Sequence, residues 1–195
     1  MSEFQSTLWT VIRGAGKGDE AALRDFVLKY RPPVLAYLAR RGFRAEAEDL
    51  AQEVFLRVFQ DRVLLKADPS LGRFRSLLLS VTRHVLGHHV ERELAKKRVP
   101  PASSGAAEAA KEDEDFDREW VSHLIEVALA RLAKEHPNYH DALRASLDGK
   151  AADYTHVARG KKTLAEYLRD QVRDYSASRA ELDEELRFLS KFFPR

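Results

Sequence analysis

The chain has no cysteine among its 195 residues, and it has only one methionine, nine glycines and seven prolines. The lack of cysteine excludes disulfide scaffolds, cysteine nucleophiles, zinc fingers and iron–sulfur clusters. No stretch approaches the roughly 18 to 20 uninterrupted apolar residues of a membrane helix. The N-terminus also lacks the basic-then-apolar layout of a secretion signal. The sequence therefore predicts a cytoplasmic protein that does not enter a membrane.

Neither sign of charge dominates the whole chain, because 33 basic residues accompany 31 acidic ones and the formal net charge is +2. The two signs are nevertheless separated along the sequence. Residues 62–98 contain nine basic and three acidic side chains, a net charge of +6, whereas residues 99–117 contain one basic and six acidic side chains, a net charge of −5. The acidic segment has little apolar surface, which predicts a flexible linker between two domains. A further hypothesis is that this segment folds back over the basic one.

Apolar residues recur with helical spacing over most of the chain, and no segment is a convincing strand. We predict helices over about residues 19–42, with a break or kink at Pro32-Pro33, over 45–60 and over 74–98, with a loop at 66–73. Beyond the linker we predict a helix that ends at His136-Pro137, a short helix at 141–147 and a last helix that opens at Ser178. The predicted fold class is all-α, with helical domains at residues 1–98 and 118–195 joined by the linker 99–117.

The helix predicted over residues 74–98 has two different sides. Five apolar residues share the core side: Phe74, Leu77, Leu78, Val81 and Val85. Small and basic residues share the opposite side: Ser76, Ser80, Arg83, His84 and Gly87. Small side chains flanked by Arg and His permit close approach to phosphates. A plain solvated face, or packing against a neighbouring helix, is the alternative that the helix alone favours.

The sequence gives little support for an enzyme. The chain contains no P-loop, no paired-glycine dinucleotide fingerprint and no nucleophile elbow. His84 and His88 lie one helical turn apart and could hold a metal together with Glu48 or Glu53. A helical metal enzyme is therefore a possible function, but it is the least favoured hypothesis. We expect no catalytic residue, no metal and no cofactor.

Binding to nucleic acid has better support. The basic segment lies on one long predicted helix and the loop before it. Near the C-terminus, a short helix around Tyr154, a turn at Gly160 and a longer helix follow each other in the order of a helix-turn-helix. The longer helix would present Lys161, Lys162, Arg169 and Arg173 to DNA.

Three segments of the sequence resemble a bacterial sigma factor of the extracytoplasmic-function (ECF) group in the sigma-70 family. Residues 49–59 (DLAQEVFLRVF) are similar to the region 2.2 signature and form the most specific string. Residues 72–79 (GRFRSLLL) and 82–84 (TRH) resemble regions 2.3 and 2.4, and residues 18–23 with the Tyr30-Arg31-Pro32 segment resemble region 2.1. The resemblance is strong over residues 5–98 and loose over 118–195.

The resemblance implies a sigma factor that directs RNA polymerase to promoters and catalyses no reaction. The region 2.2 helix would dock on the clamp coiled coil of the largest polymerase subunit through Asp49, Gln52, Glu53 and Leu56. The loop at 66–74 would capture a flipped base of the −10 promoter element. Region 2 would contact promoter DNA through Arg73, Arg75, Arg83, His84, His88 and Arg92, and the C-terminal domain through the four basic residues named above. An anti-sigma protein is the third partner that the family implies.

The sequence also departs from the family. Leu77-Leu78-Leu79 stands where members usually carry Trp-Leu-Tyr, and His84 stands where they carry Asn. The helix-turn-helix is about two residues short between Ala158 and Gly160, and three acidic residues accompany the basic ones on its longer helix. These departures leave open a sigma-derived regulator that acts through protein binding without initiating transcription.

Overall fold

The computed structural model describes residues 20–60, 74–97, 106–176 and 178–192. In these ranges the chain forms seven α-helices and no strand, so the all-α prediction is confirmed. The helices are α1 (Glu20–Arg40), α2 (Ala47–Gln60), α3 (Phe74–Lys97), α4 (Ala106–Glu135), α5 (Pro137–Leu147), α6 (Tyr154–Tyr175) and α7 (Arg179–Leu189), with a 3₁₀ turn at Ser190–Phe192. None of the described helices is long and apolar enough to cross a membrane. The chain divides into two compact units, Met1–Trp120 and Val121–Arg195.

Helix α1 continues through Pro32 and Pro33, so the prolines do not break it. Four buried residues on both sides of the prolines hold the helix in the core: Tyr30, Val34, Tyr37 and Leu38. The helix ends at Arg40, and the turn after it contains Gly42, whose φ of +92° is easily adopted only by glycine. Phe43 N then donates to Leu38 O at 3.0 Å and Gly42 N to Ala39 O at 3.1 Å, which satisfies the last carbonyls of the helix.

Aromatic rings dominate the core of the first unit. The rings of Tyr30 and Trp120 are stacked with centroids 5.6 Å apart, and Phe74 lies 4.8 Å from Tyr30. Phe26 meets Phe74 edge-on at 5.7 Å and Phe55 at 6.1 Å. This cluster joins α1, α2 and α3 to the N-terminal half of α4, because each of these helices contributes a ring.

The acidic segment differs from our prediction of a flexible linker over 99–117. Residues 106–117 belong to α4, which runs on to Glu135, while residues 98–105 lie outside the described part of the chain. Alanine, glutamate and lysine favour a helix here. Phe116 and Trp120, one turn apart, are buried in the first unit, with Phe116 against Tyr37 at 5.4 Å. The first unit therefore includes the chain as far as Trp120.

Helices α5 and α6 approach each other closely in the second unit. We expected a turn at Gly160, but Gly160 lies inside α6 and is buried. A Cβ atom at this position would come within 2.8 Å of Leu143 Cδ1 and 3.0 Å of Tyr139 O. The glycine thus permits helix contact and not a turn. The chain turns instead at residues 148–153, where Gly149 has a φ of +71° and Asp153 caps α6 by accepting from His156 N at 2.7 Å.

Helix α7 starts where the capping box predicted it, since the Ser178 hydroxyl accepts from Glu181 N at 3.2 Å. Its inner side carries buried Leu182 and Leu189, together with Glu185, which is only 1% exposed. The Tyr175 hydroxyl donates to Glu185 Oε1 at 3.4 Å. A polar residue therefore sits within the apolar stripe that we predicted for this helix.

Candidate polymerase and nucleic-acid interface

The four predicted polymerase contacts lie together on the solvent side of α2. Asp49 and Gln52 are exposed and Glu53 is half-buried, whereas Leu56 keeps 47% of its surface exposed. The opposite side of α2 is buried and comprises Leu50, Ala51, Val54, Phe55 and Val58. The amphipathic pattern of α2 accounts for this arrangement, because residues at i, i+3, i+4 and i+7 share one face of a helix. We call these four residues the α2 strip.

A shallow groove separates the α2 strip from the C-terminal part of α3. Its lining comprises Glu46, Asp49, Leu50, Glu53, His89, Arg92, Glu93 and Lys96. Arg92 Nη2 donates to Glu53 Oε2 at 3.2 Å, and Arg57 Nη2 donates to the other carboxylate oxygen at 3.1 Å. Arg92 was predicted to face DNA. The structure places it beside the α2 strip, where it helps to fix Glu53.

The exposed face of α3 carries the small and histidine side chains that the sequence grouped together. Ser76, Ser80, His84, Gly87 and His88 are all exposed. The rings of His84 and His88 pack edge to face with centroids 4.4 Å apart, and His88 Nδ1 lies 3.4 Å from Glu91 Oε2. No group of three histidine, aspartate or glutamate side chains that could hold a metal ion occurs among the described residues.

Two of the predicted DNA contacts are occupied by acidic side chains of α4. Arg75 is only 5% exposed and forms an ion pair with Asp117. Arg83 is half-buried, and its Nη2 lies 2.6 Å from Asp113 Oδ1. The same acidic stretch also reaches α1, because Arg40 Nε donates to Glu119 Oε1 at 2.6 Å. Arg73, the remaining predicted contact in this region, lies outside the described residues.

The four basic residues predicted on the C-terminal reading helix lie on α6, and all are exposed. Three of them, Lys162, Arg169 and Arg173, share one face by their spacing. Arg173 Nη2 already lies 2.6 Å from Asp170 Oδ1, and Glu166 sits between the cations in sequence. Since α6 is continuous through Gly160, the expected turn does not precede these residues, and they lie on the helix that follows α5 and the turn at 148–153.

A polar cluster in the second unit escaped the sequence analysis. The Tyr167 hydroxyl donates to Glu135 Oε2 at 2.5 Å, and Arg131 Nε donates to Glu135 Oε1 at 2.9 Å. The Arg131 guanidinium also lies 4.0 Å from the centre of the Tyr167 ring. The hydrogen bond from Tyr167, followed by that from Arg131, lowers the pKa of Glu135, and the same tyrosine bond raises the pKa of Tyr167. Only the i, i+4 spacing of Arg131 and Glu135 was visible in the sequence.

A family model described as sigma-70 region 2 matches residues 26–94. The match begins in α1, covers the whole of α2 and ends near the end of α3, so it contains the α2 strip and the exposed face of α3. No curated protein and no solved structure matches the chain. Region 2 is the part of a sigma factor that binds core RNA polymerase and promoter DNA. Residues 26–94 of this chain are therefore similar to region 2 of the sigma-70 family.

Proposed function

We propose that this protein is a sigma factor of the ECF type, which docks on core RNA polymerase through the α2 strip and guides it to promoters. The observation that carries this proposal is Leu56, a leucine with 47% of its surface exposed among polar neighbours within the region 2 match. An apolar side chain with a polar rim is typical of the anchor of a protein interface. The neighbouring Asp49 carboxylate is exposed and offers negative charge to a basic partner surface.

Replacement of Leu56 by alanine tests this assignment. Truncation of an interface anchor typically costs about 1 to 3 kcal/mol of binding free energy. We therefore expect Leu56→Ala to weaken binding to core RNA polymerase by roughly tenfold, while the melting temperature stays near that of the parent protein. Leu28 on α1 is 63% exposed and provides the matched control, since Leu28→Ala removes the same group elsewhere on the first unit. Equal affinities for both variants would refute the α2 strip as the docking surface.

The DNA surface that we propose for region 2 is the exposed face of α3. His84, His88 and the half-buried Arg83 border its small residues Ser80 and Gly87. A Cβ added at Gly87 would meet no atom within 4 Å, so a nucleic-acid backbone can approach α3 closely there. Arg92 is left out of this surface because it bonds to Glu53.

A sigma-derived regulator is the second candidate function, and the continuous α6 favours it. The expected turn at Gly160 is absent, and residues 148–153 separate α5 from α6, which is longer than the turn of about three to four residues usual in a helix-turn-helix. Runoff transcription with core polymerase separates the two candidates. A sigma factor gives a defined transcript from promoter templates of the native genome, whereas a regulator binds its partner and gives none.

We also propose that an anti-sigma protein holds the factor inactive by covering region 2, the second unit, or both. The ring pair of Phe188 and Phe192, with centroids 5.2 Å apart, supports the end of α7 as one contact, because Phe192 remains 38% exposed. Affinity capture from the native cell is the test. The full-length chain should recover a small dedicated protein that a chain truncated after Ser178 loses. Recovery of polymerase alone, or of nothing, would contradict the occlusion.

A further inference from the structure

The acidic stretch of α4 lies against the basic side of region 2 within the first unit. We define the α4 cover as residues 113–120, which supply Asp113 to Arg83, Asp117 to Arg75 and Glu119 to Arg40. Three acidic side chains spaced along two turns thus meet three arginines on α1 and α3. Such matching of opposite charges is the pattern by which one surface competes with another for the same cations.

Apolar contacts hold the α4 cover in place. Phe116 and Trp120 lie on the same stretch of helix and are fully buried, with Phe116 against Tyr37 and Trp120 stacked on Tyr30. The carboxylates are therefore positioned by two aromatic anchors and do not depend on the ion pairs alone. Because the anchors point into the core, the adjacent acidic groups are held beside α3 as part of the fold.

We propose that the α4 cover is a built-in competitor for DNA, which occupies Arg75 and Arg83 and so lowers the affinity of region 2 for nucleic acid. This inference rests on the proposed function, in which the exposed face of α3 contacts DNA. Arg83 lies at the border of that face, next to His84 and one turn from Ser80. A phosphate that approached this border would have to displace the Asp113 carboxylate from Arg83.

The proposed competition should change how the affinity for DNA depends on salt concentration. Each phosphate neutralised by a cation contributes about 0.7 to 0.9 to the slope of log affinity against log salt concentration. An arginine bound to Asp113 cannot contribute its full share. Removal of that carboxylate should therefore tighten binding and steepen the slope, whereas removal of an equivalent charge nearby should change the affinity only through net charge.

Asp113→Asn in the full chain is the test, and Glu114→Gln is the matched control. Glu114 is exposed on the same helix, and the described residues give it no ion pair, so both variants lose one negative charge at neighbouring positions. The DNA is a labelled single strand of about 20 nucleotides, long enough to cover one binding surface, titrated between about 50 and 200 mM salt. We expect Asp113→Asn to bind about two- to fivefold more tightly than Glu114→Gln, with a slope steeper by about 0.7 to 0.9.

Two further variants make the outcomes decisive. Asp113→Glu restores the carboxylate and should return the affinity to that of the parent chain, and Arg83→Gln should abolish the gain in the Asp113→Asn background. If Asp113→Asn and Glu114→Gln bind equally while Arg83→Gln weakens binding, the cover is not a competitor but the DNA surface stands. If none of the chains binds the strand, or if Arg83→Gln leaves the affinity unchanged, the proposed DNA surface is wrong and so is the competition that rests on it.

Discussion

Two glycines lie inside helices, Gly160 in α6 and Gly87 in α3, and their replacement by alanine should change stability in opposite directions. Alanine gains up to about 1 kcal/mol over glycine in a helix interior. At Gly160 this gain is outweighed, because the new Cβ would lie 2.8 Å from Leu143 Cδ1 and 3.0 Å from the backbone oxygen of Tyr139, and overpacking of this kind costs about 1 to 3 kcal/mol. We expect Gly160→Ala to lower the stability of the second unit by about 1 kcal/mol.

Gly87→Ala is the internal control for that prediction. The position lies on the exposed face of α3 with no atom within 4 Å of the added Cβ, so only the helix propensity changes and the first unit should gain about 0.5 to 1 kcal/mol. Thermal unfolding followed by circular dichroism measures both changes. A Gly160→Ala chain that melts at or above the parent temperature would show that α5 and α6 separate easily.

The bonded group of Glu135, Tyr167 and Arg131 gives the second unit a defined dependence on pH. The hydrogen bond from Tyr167, and then that from Arg131, lowers the pKa of Glu135 in the folded state below its ordinary value of 4.5. A lowered carboxyl pKa stabilises the fold above the unfolded pKa, and this stabilisation is lost as the pH falls through the lowered folded value. The raised pKa of Tyr167 has the opposite sign, so its contribution is present below pH 10 and is lost as the pH rises further.

Tyr167→Phe tests this dependence without disturbing the packing of the ring. The variant removes the largest cause of the lowered Glu135 pKa, so the melting temperature of the second unit should fall less steeply between about pH 5 and pH 3 than it does in the parent chain. The alkaline loss above about pH 10 should also disappear. Melting temperatures measured across this range check both ends. Parallel curves for the two proteins would show that the bond does not form.

Among the elements, α4 departs most from its predicted role, because its N-terminal half belongs to the first unit. Phe116 has no exposed surface, and truncation of a buried phenylalanine to alanine costs about 3 to 5 kcal/mol. We expect Phe116→Ala to lower the melting transition of the first unit markedly. Val127→Ala on the same helix, where the side chain is 42% exposed, should change stability by less than about 0.5 kcal/mol. A Phe116→Ala chain as stable as the parent would mean that the segment is the expected linker.

The helices that could be predicted are those whose apolar residues repeat at close intervals. The patterns of α2 and α3 predicted both the buried sides and the exposed faces, because helical spacing alone decides which residues share a side. The N-terminal half of α4 was not predicted because a run of acidic residues raises the net charge of a segment, whereas in the structure Phe116 and Trp120, one turn apart, anchor it in the core. A glycine such as Gly160 is compatible with either a turn or a close contact between helices, and only the position of the neighbouring helix decides between them.

Some features of the candidate site could likewise be predicted from the sequence, and others could not. Leu56 and its polar neighbours could be predicted, since one helix contains them all. The partners of Arg75 and Arg83 could not, because the ion pairs with Asp117 and Asp113 join residues that lie 42 and 30 positions apart and have no local pattern. Arg92 illustrates the same limit, as only the packing of α2 against α3 brings it to Glu53.

In the whole molecule the two units differ in what they can offer to DNA, and this difference leads to a last prediction. The first unit contains the region 2 match and an open face on α3, whereas the second unit has three aligned cations on α6, one of which already lies 2.6 Å from Asp170. Cations that contact only phosphates add affinity but no sequence preference. We therefore expect transcription by the reconstituted polymerase to depend on the sequence of the −10 element and hardly at all on that of the −35 element.

A template library with each element randomised in turn measures this dependence through the transcripts that it yields. Replacement of Lys162, Arg169 and Arg173 by glutamine in one variant should reduce the yield from all templates by a similar factor and should flatten the salt dependence, because only phosphate contacts are lost. The control replaces Lys161, which lies on a different side of α6, and should have a smaller effect. A strong preference at the −35 element that disappears in the triple variant would instead establish α6 as a reading helix.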